Sequence, residues 1–301
     1  MDDFNGKVAV ITGAGSGFGR EFAKLGARLG MKLVLADIQQ DALDETASML
    51  ASTGADLIAR RVDVSNGEQV DALADAAFST FGAAHLLFNN AGVGGRGGLI
   101  WEGGERDWQW TLGVNLWGVV HGVRAFVPRM LDAARRDPGY QAHIVNTASM
   151  AGLVNAPLMG VYNVSKHAVV SLTETLYHDL SLVGDQVNCS VLCPYFVPTG
   201  IVKSQRNRPA ELAADAAPTR SQQAAQAMID KAVSSGKVTA EQIAEKTFDA
   251  VRQRNFYIYS HPHRLGGVEA RMGDLLAPRN PSDPLASQPD ARERLEALLR
   301  G

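Results

Sequence analysis

The sequence predicts an α/β fold, a doubly wound parallel sheet with helices on both faces. Short apolar runs alternate with stretches of helical spacing, and these runs are near-continuously apolar, as strands buried on both faces must be. The first run ends in a glycine-rich turn that leads straight into a helix.

Taken in order, residues 7–12 read as the first strand, 13–19 as the turn and 21–29 as a helix. The unit repeats as strand 32–36 with helix 39–51, and strand 57–62 with helix 68–81. Strand 85–88 precedes Asn89-Asn90-Ala91-Gly92. A long helical stretch covers 106–134, with Pro128 expected to kink or divide it because proline removes an intrahelical donor. Strand 143–146, helix 165–183 and strand 187–192 follow. Between 194 and 236 the pattern dissolves, and helix 240–252 and strand 256–260 then restore it. An interruption of that length inside a compact domain is expected to be a lid or binding loop. The proline-rich tail ends in an amphipathic stretch at 291–299, expected to pack on the body or on a neighbour. One domain over 1–301 is expected, with a lid at 194–236 and a C-terminal extension at 261–301.

Of the 301 residues, 46% are apolar and 20% charged, enough for a sizeable core without disulfide or metal staples. Twenty-nine basic and 32 acidic residues, a net charge of −3, leave no basic stripe for nucleic acid. The acidic start lacks the pattern of a signal peptide, and no apolar stretch nears the ~18 residues of a spanning helix. A cytoplasmic protein without a membrane partner is therefore expected. Cys189 and Cys193, the only cysteines, share a strand face and read as inert buried thiols. His121, His167 and His178 lack metal-ligand spacing, so no metal is expected.

The glycine turn carries the first chemical signal. Between a strand and a helix, its backbone N–H groups can approach a pyrophosphate at the helix N-terminus, where the dipole favours anions. Gly13, Ser16, Gly17, Phe18 and Gly19 form that candidate loop, although the gap after Gly13 is wider than in the Gly-x-Gly-x-x-Gly fingerprint. At the end of the second strand, Asp37 can accept bonds from both adenosine ribose hydroxyls and would repel a 2′-phosphate. With no Arg or Lys among residues 14–16 or at 38, NAD is expected over NADP. Asp63 and Val64 lie where an adenine edge would rest, although an aspartate in a turn needs no ligand.

Ligands of open parallel sheets sit beyond the carboxyl ends of the strands, where strand order reverses. Asn90, Ala91 and Gly92, then Ser149, then Tyr162 and Lys166 all fall at such ends. Tyr162 and Lys166 lie four apart, on one helix face. A tyrosine acting near neutrality needs its phenolate stabilised by ~2–3 pKa units, about 3–4 kcal/mol. A buried Lys166 ammonium and a positive nicotinamide ring could supply that, while Ser149 holds the substrate oxygen. Alone, a Tyr and a Lys at this spacing are a weak signal.

Six features in one order nevertheless resemble the short-chain dehydrogenase/reductase family over residues 5–260. They are Thr12-Gly13-Ala14-Gly15-Ser16-Gly17-Phe18-Gly19, Asp63, Asn89-Asn90-Ala91-Gly92, Asn115, Ser149 and Tyr162-Asn163-Val164-Ser165-Lys166. The resemblance implies a Rossmann-like sheet of about seven strands and a tetrad of Asn115, Ser149, Tyr162 and Lys166. In it Asn115 anchors a water that relays protons from Lys166, and Lys166 also binds the nicotinamide ribose. It further implies a homodimer or homotetramer built through the long helices. The family's usual Pro-Gly after the sixth strand is replaced by Pro194-Tyr195-Phe196-Val197-Pro198-Thr199. Pro194, Val197 and Thr199 still match positions that contact the cofactor. Tyr195 and Phe196 reshape the pocket, which points to an apolar or aromatic secondary alcohol or ketone, unless the rings pack into the loop. The lid, the lost glycine and the long tail resemble the Cα-dehydrogenases of lignin-type aryl ethers.

Four tryptophans between 101 and 117 are expected mainly in core or subunit packing, with Trp101 the candidate substrate contact. Two other classes stand beside the dehydrogenase. A non-catalytic dinucleotide-binding regulator would have a broken tetrad, and a nucleoside-binding methyltransferase would need no Tyr162 with Lys166.

Overall fold

The structure, a computed structural model, describes residues 1, 3–214, 216–286 and 289–300. Seven parallel strands form one sheet in the order β3-β2-β1-β4-β5-β6-β7. They are β1 Val8–Thr12, β2 Lys32–Asp37, β3 Leu57–Arg61, β4 Leu86–Asn89, β5 Ala142–Thr147, β6 Val187–Cys193 and β7 Tyr257–Tyr259. The helices α1 Gly17–Arg28, α2 Gln40–Ala51 and α3 Gly67–Phe81 alternate with the first strands as the periodicity predicts. Order reverses between β1 and β4, which opens a crevice at their carboxyl ends.

Both faces of the sheet are covered, which explains the unbroken apolar strands. Ile11, Leu33 and Phe88 point to one face, where they pack on Phe22 of α1, Leu43 of α2 and Phe248 of α8 (Ala240–Gln253). The Phe22 and Phe88 rings stack with centroids 4.3 Å apart. Val10, Val34, Leu87 and Ile144 point the other way, toward α3, α5 (Gly118–Arg136) and α6 (Gly160–Val183). Each such buried side chain contributes about 1.5–3 kcal/mol. Cys189 and Cys193 are buried on that second face, and burial pushes both thiols up to about 12, so neither is a nucleophile near neutrality.

Four sequence expectations need correction. The long helix does not break at Pro128, which lies inside α5. It is interrupted at Gly113–Trp117, a π-helical turn between α4 (Glu105–Leu112) and α5. This wide turn carries Asn115, whose amide bonds Val93 and Ser165, and single π turns of this kind recur at functional sites. Helix α6 begins five residues earlier than its periodicity suggested, because Gly160 and Val161 already turn helically and put Tyr162 in its first turn. The lid is not irregular throughout. It holds 3₁₀ turns at Gly200–Asn207 and Ala210–Leu212 and a full helix, α7 (Arg220–Ser234). Thr219 and Gln222 start α7 with a capping box, a signal present in the sequence but masked by its sparse apolar residues. The tail likewise adds α9 (Gly266–Leu276) before α10 (Pro289–Arg300), and α10 packs against α7. Among the described residues, no helix is long and apolar enough to cross a membrane.

Candidate active site

The crevice is a cleft of about 2190 Å³, at least twice the roughly 300–1,000 Å³ of an ordinary small-molecule pocket. That volume suits an extended ligand together with a second, smaller one. Of the predicted residues, Gly13, Ser16, Gly17, Phe18, Asp37, Asp63, Val64, Asn90, Ala91 and Gly92 line one end. Ser149, Tyr162, Lys166, Pro194, Tyr195, Val197 and Thr199 line its middle.

At the first end the glycines answer to local geometry. Gly13 and Gly17 have φ of +69° and +54°, a region that side chains disfavour. Gly19 does not face the cleft. A β-carbon there would fall 2.0 Å from the Gly13 carbonyl oxygen, so its role is to let α1 pack against the turn. Ser16 caps α1 in extended conformation without a side-chain hydrogen bond, so no side chain of its own screens the N-terminal N–H groups. They are free for an anion. Asp37 Oδ2 accepts from Gly15 N at 2.8 Å and Oδ1 from Gln39 N at 2.9 Å, which fixes the carboxylate at the turn and leaves each oxygen a lone pair. Asp63 forms a tight turn with Ser65 N at 2.9 Å.

The strand ends are tied to one another and to the middle of the cleft. Thr12 Oγ1 accepts from Asn90 N at 2.9 Å, Asn90 Nδ2 donates to Thr12 O at 2.9 Å, and Thr147 Oγ1 donates to Asn90 Oδ1 at 3.3 Å. Lys166 Nζ donates to Thr147 O at 2.9 Å, which completes a chain from β1 through β4 and β5 to α6. Lys166 is buried, and burial lowers its ammonium from 10.5 to about 8. Its Nζ lies 5.7 Å from the Tyr162 ring centre, so the two interact through space. Burial pushes the Tyr162 phenol up to about 12, against a smaller downward pull from its hydrogen bond with Ser149. Desolvation dominates, and the phenol is protonated at neutral pH. Ser149 Oγ also donates to Pro194 O at 3.3 Å and accepts from Ala151 N at 3.1 Å.

Asn115 is buried outside the cleft lining. Its Oδ1 accepts from Val93 N at 2.8 Å, and its Nδ2 donates to Val93 O at 3.0 Å and Ser165 Oγ at 3.1 Å. These bonds clamp the segment after β4 against α6, next to Lys166. Trp101 is not brought to the site. It stands 75% exposed on the 3₁₀ turn Ile100–Glu102, because Glu102 is drawn the other way to Thr219 and Ser221 at the start of α7. Trp110, buried and lining the cleft, is the tryptophan that reaches it.

Sequence reasoning missed three features. Leu158 adopts φ +63° beside the start of α6, a strained backbone held by Gly98 N donating to its carbonyl at 2.8 Å. Nothing about a leucine advertises such a position. The segment 194–236 is also tied to the body twice. Arg206 Nε donates to Gln39 Oε1 at 2.8 Å, next to Asp37. Arg208 forms a buried pair with Asp107 at 2.6 Å and lies 5.3 Å from the Trp110 ring. Breaking a buried pair of this kind costs about 3–5 kcal/mol, so the lid is held down firmly.

Residues 7–210 match the model of the short chain dehydrogenase family. Among curated proteins, the chain is 34% identical over 279 residues to a CLA biosynthesis dehydrogenase/reductase of Lactiplantibacillus plantarum, covering 92% of this chain and 95% of that protein. It is 31% identical over 301 residues to a C alpha-dehydrogenase of Sphingobium, covering 99% and 94%. Among solved structures, a short chain dehydrogenase/reductase from Burkholderia phymatum in complex with NAD is 58% identical. It superposes with a TM-score of 0.92 over 95% of this chain and all of that one.

Proposed function

This chain belongs to the short-chain dehydrogenase/reductase family, and on that premise we propose that it transfers a hydride between NAD(H) and a secondary alcohol or ketone, with Tyr162 as acid/base. One observation carries the reading: the glycine turn, Asp37, Ser149, Tyr162 and Lys166 line a single cleft at the carboxyl edge of the sheet. The cofactor fits there by chemistry. The N-terminus of α1 suits its pyrophosphate, and the fixed Asp37 carboxylate suits a ribose with free hydroxyls. The NAD-bound protein from Burkholderia phymatum supports the same choice. When bound, the nicotinamide supplies the hydride acceptor or donor.

The remaining work falls to the chain itself. Ser149 Oγ holds the substrate oxygen by a hydrogen bond and so fixes its distance from Tyr162 Oη. In the reducing direction the protonated phenol gives its proton to the nascent alkoxide. In the oxidising direction the phenolate takes the hydroxyl proton. Lys166, a cation below about pH 8, favours the phenolate through space, and Asn115 keeps Lys166 and the segment after β4 in register. Val197 and Thr199, which line the same cleft, would hold the nicotinamide when it binds, and Tyr195 and Phe196 would give the substrate an apolar wall. We place the protein in the cytoplasm as a homodimer or homotetramer, joined through α5 and α6, where Trp117, just before α5, and Tyr177 of α6 are about half exposed.

A panel of aliphatic, cyclic and aryl secondary alcohols, assayed with NAD and with NADP by reduced-cofactor absorbance, tests this reading. Turnover is expected with NAD on apolar alcohols. In Asp37→Ala, the NAD-over-NADP ratio of kcat/KM is expected to fall by roughly tenfold or more, as a charged hydrogen bond to ribose is lost and a repulsion removed. Wild-type activity with NADP alone would overturn the role given to Asp37.

A further inference from the structure

Beyond Tyr162 the cleft runs on between the lid and the C-terminal helices, and its two walls differ in character. Met150, Val154, Phe196, Ile229 and Leu295 make one apolar stretch. The lining from the C-terminal part of the chain also carries Arg264, Arg271 and Arg294. The two acids that line the cleft there, Asp274 and Asp283, are already paired. Asp274 accepts from Ser282 N at 2.7 Å and pairs with Arg279 at 3.1 Å, and Asp283 pairs with Arg292. Among the described residues, Arg264, Arg271 and Arg294 pair with no carboxylate.

Arg271 matters most, because it is half-buried. Its guanidinium faces no carboxylate among the described residues, which suits it to an anion that enters the cleft. Its helix, α9, is set against the segment after β5 that begins at Ser149, with Gly267 close enough that a β-carbon there would meet Val154 at 3.4 Å. Arg264 lies over the Tyr195 ring, 5.8 Å from its centre, and Tyr195 follows the proline whose carbonyl accepts from Ser149. Both cations thus sit on segments that adjoin the loops carrying Ser149 and Pro194. The histidines there register the same field. After burial, His261 is held low by His263, Lys246 and Arg264, and Arg271 presses on His167.

We infer that the substrate is an anionic amphiphile, whose apolar body lies along Phe196, Ile229 and Leu295 and whose carboxylate is held by Arg271 with Arg264. This rests on the hydride-transfer reading for its alcohol or ketone but adds the opposite end of the molecule. A planar guanidinium matches a carboxylate with two parallel bonds, and the partly desolvated cleft strengthens them.

Two measurements on the full chain separate this claim from the reading beneath it. The first compares kcat/KM, with NAD, for benzylic hydroxyphenylhexanoate and its methyl ester. An acid-over-ester ratio of about tenfold or more is expected, falling toward one in Arg271→Ala and partly restored in Arg271→Lys. The second needs no turnover. Phenylhexanoate and phenylhexanol are titrated against the NADH-bound protein by fluorescence, and the acid is expected to bind more tightly, with an advantage that shrinks as salt rises. A ratio near one in the wild type, or one unaltered in Arg271→Ala, overturns the inference while leaving hydride transfer intact. Tight acid binding without turnover of any alcohol would sink the reaction instead.

Discussion

Replacement of Tyr162 by phenylalanine is expected to lower kcat for alcohol oxidation by about 10²–10⁴, the usual worth of a positioned acid/base. The substitution removes one oxygen from a half-buried ring in the first turn of α6 and leaves its packing alone. NADH should therefore still bind, as fluorescence titration would report, and the protein should melt near the wild-type temperature. The pairing of lost turnover with kept binding distinguishes a proton-transfer role from a structural one. Retention of most of the wild-type rate would remove Tyr162 from the chemistry.

The second large effect is that of Lys166→Met, and its signature is in pH. Burial, against a smaller pull from Ser149, holds the Tyr162 phenol up at about 12, so alcohol oxidation must speed up as pH rises and releases that proton, while ketone reduction must slow. A cation within a few ångströms moves a phenol down by about 1–3 units, and removing Lys166 removes that help. The oxidation limb of the kcat/KM profile is therefore expected to move upward by about 1–3 units, which at neutral pH amounts to a loss of roughly tenfold to a thousandfold. Reduction, which needs the phenol protonated, should lose much less. Equal loss in both directions with an unmoved limb would show that Lys166 acts only by holding Thr147 and the cofactor ribose.

Much of this site is readable from the sequence because its parts sit at the ends of strands. Glycines 13 and 17, Asp37, Asn90, Ser149 and the Tyr162–Lys166 pair each follow or face a short apolar run, and the parallel topology then gathers them on one edge. Gly19 shows the limit of reading by motif. It belongs to the glycine loop, and what requires a glycine there is the close packing of α1 on the Gly13 carbonyl. The tail and the segment 194–236 were less legible, since α7 and α9 bury few apolar side chains. Their positions come from long-range polar contacts, such as Arg208 with Asp107 and Ser221 with Glu102, which no local pattern encodes. Trp101 misled for a related reason. An aromatic in a glycine-rich segment looks like a ligand contact, yet the loop's direction is set by where Glu102 binds α7. Arg271 drew no notice in the sequence, because a lone arginine on a weak helix has meaning only once the cleft beside it is known.

Hydride transfer itself is tested most directly by isotope. A secondary alcohol carrying deuterium on its carbinol carbon is incubated with the protein and NAD, and the reduced cofactor is weighed by mass spectrometry. The account predicts NADH heavier by one deuterium, formed by the wild type and all but absent with Tyr162→Phe. Unlabelled NADH, or a ketone formed with no label in the cofactor, would contradict it.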